Sequence, residues 1–182
     1  MLIELLSQKK AVILEKWFHA VLETYPADTA KFLKKEKDRF ANPVRHTVLQ
    51  GIEGLYEALI KGEDPPIINE FLENIIKIRS VQDFSPSQAI NFIFFLKKII
   101  NETLGKEIHK KQLYKEMLDL EERIDTMALL AFDVYLNCRE KIYELRINEL
   151  KSQKEFAFRL MGGRKKRGEK NNEKIVENGE IS

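Results

Sequence analysis

Residues 113–138 read LYKEMLDLEERIDTMALLAFDVYLNC, and their spacing decides the fold class. Leu113, Met117, Leu120, Ile124, Met127, Ala131, Val134 and Cys138 alternate steps of four and three, the interval at which side chains return to one face of a helix. No Pro or Gly interrupts the chain from Lys110 to Leu160. A helix of about 50 residues would be roughly 75 Å long at ~1.5 Å per residue, more than the diameter of a small domain. Its C-terminal part is therefore expected to project from the bundle or to break near Ile147. Beyond Cys138 the seam changes phase, to Ile142 and Leu145, and charges become dense. Gly162-Gly163 is expected to end the helix, leaving a disordered charged tail to Ser182.

Upstream of this stretch the signals are also helical. A first helix spans about Leu2 to Thr24, with Val12, Ile13, Trp17 and Val21 on one face, and Tyr25-Pro26 stops it because the residue before proline is pushed out of the helical region. A short helix over Asp28 to Lys35 presents Phe32 and Leu33. Asn42-Pro43 reads as an N-cap followed by proline at the first helical position. Val44, Val48, Ile52, Leu55 and Leu59 then mark an amphipathic helix stopped by Gly62. Pro65-Pro66 opens a fourth helix, showing Ile68, Phe71, Leu72, Ile75 and Ile76. Ser85-Pro86-Ser87-Gln88 is a capping box, and the helix it opens is apolar nearly all round from Ile90 to Ile100, until Leu104-Gly105 closes it. The sum is an all-α bundle of about six helices, the last very long. The domain is placed at residues 1–150, with 151–182 as helix extension and tail.

Composition narrows the function classes. The 182 residues are 43% apolar and 33% charged, with only eight Gly and five Pro, which argues against a turn-dense β architecture. A net charge of +2 does not call for a nucleic-acid partner. The basic cluster Arg164 to Arg167 has no aromatic interleaving for base stacking, and acidic residues follow it, so it reads as a solvated tail. The densest apolar run, Phe92 to Leu96, is five residues long, whereas a membrane span needs ~20. A single cysteine forms no internal disulfide, and a reducing cytoplasm fits.

Several fragments carry a resemblance. Tyr25-Pro26 with Phe32-Leu33, then Lys37 through Pro43, then Arg123 through Tyr135 with Cys138-Arg139-Glu140, resemble the N-terminal domain of RsbRD-type proteins, the co-antagonists of the kinase RsbT in the bacterial stressosome. The resemblance covers about residues 1–150. It implies a non-haem, globin-like helical domain that dimerises as a sensory turret, ahead of a linker helix and a STAS domain. Only a short charged tail follows Leu160, so a stand-alone form lacking the STAS domain is expected. The expected role is a non-enzymatic sensory or adaptor module acting through dimerisation, with a signalling protein as partner and room for a small apolar ligand between helices. Two alternatives belong to other classes: a cofactor- or haem-binding globin-like protein, and an accessory factor of a respiratory complex in sulfur metabolism.

Candidate chemistry is sparse. His19, His46 and His109 are the three imidazoles, and none falls between Thr47 and Ile108, where a globin-like haem ligand is expected; no cofactor is assigned. His46 with Gly51 vaguely resembles a histidine phosphotransfer pattern, but the lysine beside the glycine is missing, and a first-turn surface histidine is the plainer reading. Asp119, Glu121, Glu122 and Asp125 lack the His spacing of a metal site and read as the wet face of a helix, paired with Lys115 or Arg123. Cys138 falls on the seam as a small core residue. Asp133, among Ala131, Phe132, Val134 and Tyr135, is expected to be partly buried and to need a partner such as Arg39, Arg45 or Arg79. Asp125, Asp133 and Arg39 are accordingly the candidate polar or ligand-sensing set. Leu113, Met117, Leu120, Ile124, Met127, Ile142 and Leu145 are the candidate dimer or linker-helix residues.

Overall fold

The structure, a computed structural model, describes residues 1–177 apart from Lys37, Arg39 and Asp83, with side chains as far as Arg159. Among the described residues every regular element is a helix: α1 (Leu2–Gln8), α2 (Lys10–Leu22), α3 (Ala27–Lys35), α4 (Pro43–Lys61), α5 (Pro65–Val81), α6 (Pro86–Ile90), α7 (Phe92–Lys110) and α8 (Tyr114–Glu177). The chain divides into two compact units, Met1–Arg139 and Glu140–Ser182. The first holds all helices up to α7 and the start of α8. The second is the remainder of α8.

The helix starts follow local chemistry. Asn42 accepts the Arg45 N–H at 3.0 Å through Oδ1, while its amide donates to the Glu36 carbonyl at 3.1 Å, so the cap also ties down the loop before it. Gly62, with φ of 68°, ends α4 in the left-handed conformation that glycine adopts without steric cost. Ser85 and Gln88 form the reciprocal capping box at α6.

Among the described residues eight helices stand where six were expected, because two of the expected helices are interrupted. The first is broken at Lys9, a position no Gly or Pro marks. The second break, at Asn91, has a visible cause. An unbroken helix would direct the Gln88 carbonyl at the Phe92 N–H, but that oxygen instead accepts a bond from Arg79 at 2.9 Å. Three glycines do not end helices as expected. Gly105 lies inside α7, and α8 continues through Gly162-Gly163 and past Ile147 to Glu177. Glycine inside a helix costs about 1 kcal/mol relative to alanine, which neighbouring turns can absorb.

The core of the first unit is one cluster, built around Trp17, Tyr56, Leu72, Phe92, Leu96 and Ile124. Trp17 stacks on Phe92 and donates its indole N–H to the Phe92 carbonyl at 2.7 Å. The Tyr56 hydroxyl donates to the Leu6 carbonyl at 3.0 Å, joining α4 to α1, and burial raises its pKa strongly. The seam of α8 is buried from Met117 through Cys138, as its spacing predicts. α7 is less uniform than expected, since Phe94 faces solvent.

α4 and α5 pack closely because α4 carries two glycines on the shared face. A methyl group at Gly51 would sit 2.6 Å from Ile75 Cγ1, and one at Gly54 would sit 2.3 Å from the Phe71 ring. The glycine one turn beyond His46 thus serves helix packing. Ile75 is fully buried and has no room to yield, whereas the half-buried Phe71 borders an open cleft into which it can swing. Gly51→Ala is therefore expected to lower the unfolding free energy by about 1–2 kcal/mol despite the better helix propensity of alanine. Gly54→Ala should cost less than half of that, both read from urea unfolding midpoints.

Candidate functional site

The expected polar set does not assemble. Asp125 is exposed and pairs with Lys97 of α7 at 2.7 Å. Asp133 is exposed too, contrary to the expectation of partial burial. Its apolar sequence neighbours misled because adjacent helical residues point about 100° apart, so flanking Ala131 and Val134 in the core leaves Asp133 outside it. Arg39 lies outside the described residues. The expected local partners on the acidic face are not used as read either: Arg123 donates to the Leu59 carbonyl of α4 at 3.4 Å.

The imidazoles occupy three different helices. His19 is exposed on α2, and His109 is exposed on α7 and bonded to the Tyr114 hydroxyl. His46, in the first turn of α4, is half-buried rather than on the surface, with its Nε2 enclosed and without a hydrogen-bond partner. Among the described residues no three His, Cys, Asp or Glu side chains gather in a way that could hold a metal ion. Cys138 is a buried free thiol. No described helix is long and apolar enough to cross a membrane.

Two features stand out instead. The first is an open groove of about 690 Å³ between α2 and α7, floored by Ala20, Phe95 and Ile99 and rimmed by His19, Glu23 and Lys98. Thr24 also lines it.

The second feature lies behind Thr24. Arg79, in the last turn of α5, is 0% exposed. Its Nη2 donates to Thr24 Oγ1 and to the Gln88 carbonyl, both at 2.9 Å. The guanidinium stands 4.2 Å from the Phe84 ring centre, 5.3 Å from Tyr25 and 5.5 Å from Phe92. No carboxylate among the described residues pairs with it. Burial depresses its pKa and raises that of Tyr25, although the Arg79 charge beside the phenol pulls the latter back. Charge-assisted hydrogen bonds contribute ~1.5–3 kcal/mol each, and a desolvated cation–π contact about 2 kcal/mol. A buried ion costs several kcal/mol, a cost that contacts of this number and size can offset. Nε and Nη1 of Arg79 and the Tyr25 hydroxyl, all enclosed, have no hydrogen-bond partner. A signal for this site was present in the sequence: Leu72, Ile75, Ile76 and Arg79 follow helical spacing, which puts a cation on the apolar stripe of its own helix.

The wall of this site is fastened to α8. The Tyr135 hydroxyl donates to the Phe84 carbonyl at 3.1 Å, and Arg139 donates to the Ser80 carbonyl at 3.0 Å.

α8 itself carries apolar residues on two faces. Met117, Leu120, Ile124 and Met127 are covered by the chain's own helices, as is Leu113 just before α8, so what they cover is the bundle itself and they present no free seam to a second copy. On a different face of the same unit, Tyr114, Leu118, Leu129, Phe132 and Leu136 project into solvent, with Leu129 69% exposed. Steps of 4, 11, 3 and 4 residues return to one side of a helix. In the second unit Ile142 is half-buried and Leu145 exposed, and Tyr143, Ile147, Leu150 and Phe158 are exposed at helical spacing of their own.

The packing share of Arg79 can be separated from its polar share. Arg79→Ala leaves a core cavity and is expected to lower the unfolding free energy by about 3–5 kcal/mol. Arg79→Met fills most of the space without a charge and should cost less than half as much in the same urea titration.

Comparison with known proteins supplies the family. An uncharacterized protein of Archaeoglobus fulgidus is 23% identical over 161 residues, covering 86% of this chain and 93% of its own length. No solved structure matches. The RsbT co-antagonist protein rsbRD N-terminal domain matches residues 11–150, most of the chain and nearly all of its first compact unit. The chain belongs to the RsbRD N-terminal domain family, whose members serve as stressosome-type signalling modules.

Proposed function

We propose that this chain is a non-enzymatic sensory or adaptor module, working in the cytoplasm through protein–protein contact, and that the outward face of α8 is where it meets a second copy. The observation that carries the reading is the solvent-facing row Tyr114, Leu118, Leu129, Phe132 and Leu136. Single exposed apolar residues are ordinary, but Leu129, Phe132 and Leu136 cluster within two turns, with Tyr114 and Leu118 on the same side beyond the acidic gap at Glu121 and Asp125, and such clusters mark interaction surfaces. From Tyr114 to Leu136 the helix extends about 33 Å, on the scale of a standard protein interface. Identical strips from two copies bury each other by the symmetric contact that homodimers favour. The groove between α2 and α7 has a size typical of small-molecule sites and is the place this reading gives to a sensed ligand.

Leu129→Asp combined with Leu136→Asp tests the interface without touching the core, since both side chains are exposed. Sedimentation at tens of micromolar is expected to show a dimer for the unaltered chain and a monomer for the double variant, with unchanged helical circular dichroism. A monomeric unaltered chain, or a double variant that stays dimeric, would end this reading.

A further inference from the structure

The guanidinium of Arg79 is a buried cation with fewer than half of its N–H bonds matched to an acceptor. Of its five N–H bonds, the two on Nη2 reach Thr24 Oγ1 and the Gln88 carbonyl, which leaves the one on Nε and the two on Nη1 unused. The Tyr25 hydroxyl beside it is likewise enclosed and unpaired. Two buried oxygens without partners, Gln82 Oε1 and Asn91 Oδ1, belong to the same stretches of chain, the end of α5 and the joint between α6 and α7. Buried polar groups in folded proteins are nearly always satisfied, so a cation and a phenol left wanting side by side mark a place able to take a polar ligand. The unused groups nearest the charge are donors, and the charge is positive. What satisfies both is an anion with oxygen acceptors.

We propose that the junction of α2, α5 and α6 binds one small oxyanion, either inorganic or the carboxylate of a small organic acid, held by Arg79 Nε and Nη1 and by the Tyr25 hydroxyl. The aromatic rings of Phe84 and Phe92 exclude water from the cation and strengthen its pull on the anion. The site does not depend on the α8 interface and stands whether or not the chain dimerises.

Trp17, the single tryptophan of the chain, stacks on Phe92, whose ring lies beside Arg79, so its fluorescence reports on this junction, and variants at Tyr25 and Arg79 separate that signal from binding in the α2–α7 groove. The full chain is titrated with sodium phosphate and, separately, sodium acetate, against sodium chloride at matched ionic strength. A saturable change in Trp17 emission is expected for at least one of the two, with a midpoint on the order of millimolar or below, and whichever binds tighter identifies the inorganic or carboxylate source. Tyr25→Phe keeps the ring and removes a hydroxyl that interacts with the Arg79 guanidinium without forming a well-aligned hydrogen bond, so it should fold normally and raise the midpoint about tenfold or more. Arg79→Met should abolish the response. Absence of a saturable change with both anions, or an unaltered midpoint in Tyr25→Phe, overturns the proposal. So does a response seen only in Asp83→Asn, because the chain's own carboxylate at Asp83, outside the described residues, would then be the occupant.

Discussion

Taking a guanidinium out of water obliges the chain to bring oxygen atoms and ring faces to it, and much of the architecture near Arg79 follows from that demand. Thr24 turns its hydroxyl inward at the end of α2, donating to the Val21 carbonyl and accepting from Arg79. Gln88 gives up the carbonyl that would have continued its helix, so α6 ends and α7 begins afresh at Phe92. Phe84 and Tyr25 meet edge to face at 5.3 Å, with the cation between them and Phe92. One side chain thereby fixes where three segments, distant in sequence, converge.

A second constraint is geometrical. A helix can give only one face to its own bundle, and α8 carries apolar side chains on two. The inner row, from Met117 to Cys138, is ordinary core. The outer row leaves Leu118, Leu129 and Phe132 in water, a cost the isolated chain gains nothing from. That asymmetry is the physical ground for the proposed contact surface.

The sequence was readable where periodicity and capping act locally. The α8 seam, the Asn42 cap, the Gly62 stop and the Ser85 capping box are each determined within a few residues, and each appears where its pattern places it. What could not be read depends on contacts between separate elements. The break at Asn91 needs Arg79, nine residues before Gln88, to claim a carbonyl. The role of Gly51 needs Ile75 on the facing helix. Asp133 was misplaced by reading its sequence neighbours instead of its helical phase. Arg79 was considered only as a partner for an acid, although its register with Leu72, Ile75 and Ile76 pointed into the core. The outer row of α8 follows helical spacing as plainly, but the inner seam is the stronger pattern, and the bundle covers it.

The two constraints meet at the segment from Ser80 to Phe84. Its carbonyls accept from Arg139 and Tyr135, which flank Leu136 of the outer row on α8. Its Phe84 ring lies 4.2 Å from the Arg79 guanidinium. Any change in how that cation is satisfied therefore acts on residues bonded to α8, the helix of the proposed interface, through contacts too short to stretch without breaking. Linkage then fixes one relation regardless of mechanism. By whatever factor occupancy at Arg79 alters association through α8, association must alter affinity at Arg79 by the same factor. A coupling of even tenfold needs only about 1.4 kcal/mol of difference between the two states, comparable to a single hydrogen bond of the kind that joins Ser80 to Arg139.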